Sequence, residues 1–191
     1  MLRVMVVDDD KEREQVLRIG LEQAGYEVVA RLEPGVNLSR EVEKTQPDVI
    51  IIDLHSPDRD TLEHVIVISQ DQPRPIVMFS ADGDSAKIRE AVSAGVSAYI
   101  VNGLSADRID PIIQVAIARF QALQSLREEL AHAQTQLADR KLIERAKGIL
   151  MRQKNMSEDE AYRALRKLAM DRNLKLAEVA EQLINVHKLL S

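Results

Sequence analysis

Five short apolar runs alternate with amphipathic stretches through the first hundred residues of this chain. RVMVV (3–7), EVVAR (27–31), VIIID (49–53), PIVMFS (75–80) and AYIV (98–101) predict strands. Their near-continuous apolar character suits a parallel sheet covered on both faces. Between them, polar and apolar positions recur with helical spacing over roughly 11–24, 36–45, 60–71 and 84–94. Gly25 and Gly95 fall where the first and fourth of these helices should end in left-handed caps. Five strand–helix repeats imply a doubly wound α/β domain with right-handed crossovers. Such folds bind ligands beyond the carboxyl ends of their strands. Asp8, Asp9, Asp53, Ser80 and Asn102 all fall there.

The fifth helix does not stop. From Leu104 to about Lys154 the only proline is Pro111, which sits in a first turn or marks a restart. Leu123, Leu130 and Leu137 recur every seven residues, with Leu126 and Ala133 between them and Ala116 extending the series. That pattern predicts a coiled-coil seam in a homodimer, parallel or antiparallel, with Arg119 and Arg140 at its ends. The alternative is an amphipathic helix lying on its own domain. Asn155 ends this helix, and Ser157 followed by Glu160 forms a capping box that starts another, running to about Asp171. NLK (173–175) breaks it, and a last helix follows over about 176–190 with Leu176, Val179, Ala180, Leu183, Val186 and Leu190 on one face. Two such short helices need the end of the long one as a third wall. The expected divisions are an α/β domain over 1–120, a coiled-coil linker over 112–139 and a helical bundle over 138–191.

Composition narrows the function classes. The chain has 191 residues, 45% hydrophobic but only 3% aromatic, with no tryptophan and no cysteine. The core is therefore aliphatic, and base-stacking platforms and thiol chemistry are disfavoured. No apolar run is long enough to span a bilayer, and MLRVMVVDD has no signal-peptide character, so a cytoplasmic protein without membrane contact is expected. The net charge of −5 is uneven. Residues 138–191 hold 12 Lys and Arg against 8 Asp and Glu, whereas residues 1–137 hold 14 against 23. A basic tail on an acidic body points to an anionic partner, or simply to a solvated helical surface.

Asp8, Asp9 and Asp53 at neighbouring strand ends can ligate a hard divalent cation, Mg²⁺ being the natural one. One of them could act as a nucleophile. Acids at helix N-termini are also favoured by the helix dipole alone. His64, His132 and His187 have no zinc-ligand spacing. The first 120 residues resemble a response-regulator receiver domain. The resemblance rests on Asp8–Asp9, DLHSP (53–57), Ser80–Ala81 and Tyr99 three residues before the last site position. It implies a flavodoxin-like fold in a two-component system, with Mg²⁺ held by Asp8, Asp9 and the backbone of His55. It also implies Asp53 as phosphoacceptor, Ser80 following the phosphoryl group and Tyr99 rotating inward. Position 102 departs from the family, which carries lysine where this chain has asparagine. A neutral amide cannot replace an ammonium point charge, so coupling of phosphorylation to the Ser80–Tyr99 surface is not expected.

Residues 140–186 resemble an ANTAR domain, an RNA-binding module of bacterial antiterminators, through IERAKGILM (143–151), SEDEAYRALRKLAM (157–170) and KLAEVAEQLI (175–184). SPDRD (56–60), QDQPRPIVMF (70–79) and GVSAYIV (95–101) add a likeness to the NasT-like nitrate-assimilation branch. That branch implies control by a nitrate-sensing partner protein. The residues expected to meet RNA are Arg163, Arg166 and Lys167 at i, i+3, i+4, together with Arg145, Lys147, Arg152 and Lys175. Gly148 would admit a phosphate backbone or a partner helix, and Tyr162 is expected to pack in the bundle. The expected function is a dimeric, non-enzymatic antiterminator that binds hairpins in mRNA leaders. The alternatives are a phosphorylation-dependent DNA-binding response regulator and a pure protein-interaction module. The last helix has two glutamates and only Lys188 as a fixed cation, which makes it a poor major-groove reader.

Overall fold

The computed structural model describes residues 1–102 and 104–190, those at 11, 12 and 190 by their backbone only. Five strands, β1 (Arg3–Asp8), β2 (Glu27–Leu32), β3 (Val49–Leu54), β4 (Ile76–Ser80) and β5 (Ala98–Val101), form one parallel sheet in the order β2-β1-β3-β4-β5. Four helices alternate with them: α1 (Lys11–Gln23), α2 (Leu38–Thr45), α3 (Arg59–Asp71) and α4 (Ser85–Ala94). The chain then runs through α5 (Ala106–Lys154), α6 (Glu158–Arg172) and α7 (Leu176–Leu190). It divides into two compact units, Met1–Gln124 and Ser125–Ser191. No helix of the described residues is long and apolar enough to cross a membrane.

The first unit is doubly wound, as the strand pattern predicts. All six residues of β3 are buried because it lies in the middle of the sheet with helices on both sides. Alternation along the strands divides the core. Met5, Val7, Ile50, Ile52 and Met78 pack with Leu38, Val42, Val65 and Ile68 of α2 and α3. Val4, Val6, Ile51, Val77 and Phe79 pack with Leu17 and Leu21 of α1 and with Ile109, Ile113 and Ala116 of α5. Gly95 caps α4 at φ 117°, and a Cβ there would collide with the Ser69 side chain. Only glycine meets both conditions at low cost.

Two expectations change. Pro111 lies inside α5 without a break, so it marks no restart. Ala116 is fully buried in the α1–α5 core and does not extend the seam. Beyond it, Leu123, Leu126, Leu130 and Leu137 are 47–60% exposed, and Ala133 is exposed too.

The second unit is built as its sequence signals require. Asn155 turns the chain at φ 54° after α5, and Ser157 with Glu160 makes the capping box of α6 in both directions. Asn173 ends α6 in the left-handed region. Ala146 and Ile149 of α5 pack with Leu165 and Ala169 of α6 and with Val179, Ala180 and Ile184 of α7, so α5 is indeed the third wall. Tyr162 is 41% exposed, contrary to expectation, because Ala161 and Leu165 take the inward face of α6.

Candidate functional site

The parallel pairing of β1 with β3 sets Asp8 opposite Asp53, just where both strands leave the sheet. Asp53 is fully buried. Arg13, in the first turn of α1, reaches back and pairs its guanidinium with Asp53 Oδ1. Asp53 Oδ2 and Asp8 Oδ2 are both buried without a hydrogen-bond partner. Burial raises the Asp53 pKa to about 7, against the pull of Arg13 and with further help from Asp8 and Asp9. Burial also raises Asp8, opposed by a 2.8 Å hydrogen bond from Asp10 N to its Oδ1.

Asp9 is turned differently. Its Oδ2 accepts a 3.4 Å hydrogen bond from His55 N, and no three acidic or imidazole groups converge to cage a metal among the described residues. Mg²⁺ needs no such cage, since it takes one or two carboxylates and completes its shell with water. The orphaned oxygens of Asp8 and Asp53 fit that requirement. The His55 carbonyl, which the receiver resemblance assigns to the metal, already accepts from Ser80 Oγ at 2.9 Å and Ala81 N at 3.2 Å.

The far side of the pocket is held by a polar strap. Lys87 Nζ donates to Asp82 at 2.6 Å and to Ser56 at 2.9 Å, and Ser56 donates to Asp82 at 3.0 Å. Lys87 is the main reason the Asp82 pKa falls to about 2. Ser80 is buried, and its Oγ also accepts from Asp82 N at 3.0 Å. Tyr99 donates its hydroxyl to the Asp82 carbonyl at 2.9 Å. Asn102 is exposed, with φ 56° and its N–H on the Ser80 carbonyl at 2.9 Å. Asparagine is one of the few side chains that tolerates this left-handed backbone.

In the second unit Arg145, Arg152, Arg163, Arg166, Lys167 and Lys175 are all exposed. Among the described residues no salt bridge engages Arg145, Arg152, Arg166, Lys167 or Lys175. Arg145, Gly148 and Arg152 follow one another at i, i+3, i+7 along one stripe of α5. A Cβ built on Gly148 would meet nothing within 4 Å, so this glycine is not there to let another helix of the chain approach.

The Response regulator receiver domain family matches residues 4–114, and the ANTAR domain family matches residues 131–184. This chain belongs to the ANTAR response regulators. The Transcriptional regulatory protein PdtaR of Mycobacterium tuberculosis (strain ATCC 25618 / H37Rv) is 32% identical over 179 residues, which cover 94% of this chain and 87% of that protein. The Nitrate regulatory protein of Klebsiella oxytoca is 46% identical over 67 residues, 35% of this chain and 17% of that protein. Among solved structures, a two-component response regulator of the LuxR family from Aurantimonas sp. SI85-9A1 superposes with a TM-score of 0.54 at 29% identity, covering 62% of this chain and 86% of that one.

Two residues of this ANTAR response regulator stand apart from the sequence reading. Lys147 is only 7% exposed, with its ammonium bonded to Glu158 at 2.6 Å and Glu144 at 2.9 Å. It ties α5 to α6 across the capped start of α6, and a phosphate would have to displace two carboxylates to reach it. Arg13 is the functional candidate that the sequence reading missed. Asn102 follows β5, whereas this cation stands on α1. Its signal is an arginine one helical turn beyond the DDD triplet, on the face that turns back to the strand ends.

Proposed function

We propose that this chain is a cytoplasmic RNA-binding transcription antiterminator that acts as a homodimer on hairpins in mRNA leaders. The observation that carries the reading is the row of exposed basic side chains on α5 and α6, within the residues that match the ANTAR domain. Arginine forks and lysine points can hold the backbone of a stem while unpaired loop bases are read. Filter binding to a hairpin RNA and to duplex DNA of equal length, across a salt series, tests it. Preference for the hairpin is expected, and equal or better binding to duplex DNA would favour a DNA-binding regulator instead.

The dimer forms through Leu123, Leu126, Leu130, Ala133 and Leu137. Four leucines about half exposed on one helical face lose water contact when a second copy covers them. Two RNA-binding units on one dimer would grip paired hairpins with a raised effective concentration. Leu130→Lys with Leu137→Lys is expected to give a monomer by analytical ultracentrifugation and to lower affinity for a two-hairpin RNA more than for a single hairpin. A double variant that remains dimeric would remove the seam from the account.

Gly148 serves close approach of the RNA backbone between Arg145 and Arg152. Gly148→Ala meets open space and improves helix propensity, so it is expected to stabilise the second unit by about 1 kcal/mol in thermal unfolding. The same change is expected to weaken hairpin binding. A gain in both stability and affinity would leave the glycine without this role.

Control is assigned to a sensor protein rather than chiefly to phosphorylation of Asp53, with Mg²⁺ held by Asp8 and Asp53. Position 102 has no fixed charge to read a phosphoryl group, and its backbone is set by a left-handed turn. The regulated genes are assigned to nitrate and nitrite assimilation, supported by the likeness to a protein named as a nitrate regulator. Deleting the partner is expected to release antitermination, whereas loss of antitermination in Asp53→Asn alone would restore phosphorylation as the main control.

A further inference from the structure

The acidic pocket has a cation after all, in a place the receiver pattern does not provide. Arg13 stands on α1, not at the end of β5, and its guanidinium rests on one oxygen of a fully buried carboxylate. The other oxygen of that carboxylate is buried and unpartnered. Asn102 offers neither charge nor a backbone suited to a long basic side chain. Among the described residues no other ion pair reaches Asp53; Lys87 is engaged by Asp82 and Ser56, and Arg31 by Glu14.

We propose that Arg13 is the residue that holds a tetrahedral phosphoryl group on Asp53, taking from α1 the electrostatic part that lysine plays from β5 elsewhere. The unpartnered Oδ2 of Asp53 is the nucleophile, and Asp8 is left to hold Mg²⁺ when cation and phosphoryl group are both present. With a small acyl phosphate as donor, Oδ2 attacks phosphorus and the bond from phosphorus to the acyl oxygen breaks. The carboxylate product leaves with that electron pair, and no proton or redox partner is needed. Negative charge then sits on three phosphoryl oxygens beside the guanidinium, which presents several N–H donors in one plane and can shift from the carboxylate to the group attached to it. A cation on α1 has a further consequence. It reads the phosphoryl group on the α1 side of the pocket and exerts no pull on β5, so Tyr99 stays on the Asp82 carbonyl. The pocket can therefore accept the group without moving the Ser80–Tyr99 surface. This inference does not depend on RNA binding, and hairpin affinity is not its readout.

The test uses the full chain with Mg²⁺ and fluoroberyllate, a stable mimic of the phosphoryl group, followed by fluorine NMR and calorimetry. Arg13→Gln is expected to weaken fluoroberyllate binding about ten- to hundred-fold, the range for a lost hydrogen bond to a charged group. Mg²⁺ alone is expected to bind Arg13→Gln at least as tightly as the parent, because a competing positive charge has gone. Arg13→Lys is expected to recover part of the fluoroberyllate affinity. Arg31→Gln removes one positive charge from the same rim and is expected to leave that affinity within about two-fold, since exposed charges are well screened. The proposal is overturned if the parent takes up no fluoroberyllate, if Arg13→Gln binds it as well as the parent, or if Arg31→Gln loses as much as Arg13→Gln.

Discussion

Replacing Arg166 and Lys167 by alanine in the full chain is expected to reduce hairpin RNA affinity about ten- to hundred-fold near 0.1–0.15 M salt. Both side chains are exposed and carry no salt bridge, so their charge is available to phosphate. Each phosphate neutralised on a single strand releases about 0.7 of a counterion, so the slope of log affinity against log salt should fall by about 1.4. Adding Arg145→Ala and Arg152→Ala should take the slope down by a similar step and leave only weak binding at physiological salt. Lys147→Met supplies the contrast. Its ammonium is committed to Glu144 and Glu158, so its loss should loosen the α5–α6 junction in thermal unfolding while leaving the salt slope unchanged. An unchanged affinity in the Arg166–Lys167 variant, or a slope that drops with Lys147→Met, would displace the interface from the exposed faces of α5 and α6.

What the sequence could show here was set by how local each signal is. Strand and helix positions follow from apolar periodicity, and the capping box at Ser157–Glu160 is complete within four residues, so these elements were legible. The acidic pocket was legible because its carboxylates lie at strand ends, a place the topology fixes. Arg13 was not, because its meeting with Asp53 spans forty residues and depends on the angle at which α1 leaves β1. Lys147 misled for a related reason. In sequence it is one more cation in a basic tail, and only the return of the chain through Asn155 brings Glu158 against it. Ala116 sits on the heptad spacing, yet the same helix serves the sheet at 116 and presents an open face from 123 onward. Periodicity gives the face of a helix, but not which partner that face meets. Asn102 was visible as a missing charge, whereas its positive φ, which explains why asparagine suits the position, depends on the loop that follows β5.

The pocket makes a second large effect measurable as stability. Asp53 has a folded pKa of about 7 against 3.8 for the free side chain, raised chiefly by burial. A carboxylate whose pKa rises on folding is protonated more readily in the native state than in the unfolded one. The native state then binds more protons between these two values, and stability falls as pH rises through that window. The penalty is absent well below pH 4 and fully present above about pH 7. Asp53→Asn removes the ionisation, keeps an oxygen that Arg13 can donate to, and ends repulsion from Asp8 and Asp9. It is therefore expected to stabilise the first unit at pH 8 by about 2–4 kcal/mol, since one pKa unit corresponds to about 1.4 kcal/mol. Urea unfolding followed by circular dichroism at pH 4, 6 and 8 should show the gain vanish at the lowest pH and grow through the middle one. Millimolar Mg²⁺ should narrow the gap at pH 8 by stabilising the parent, because a divalent cation on Asp8 and Asp53 offsets the buried charge that the variant lacks. A variant less stable than the parent at pH 8, or a gain that does not change with pH, would mean that Arg13 already neutralises Asp53 in the folded protein.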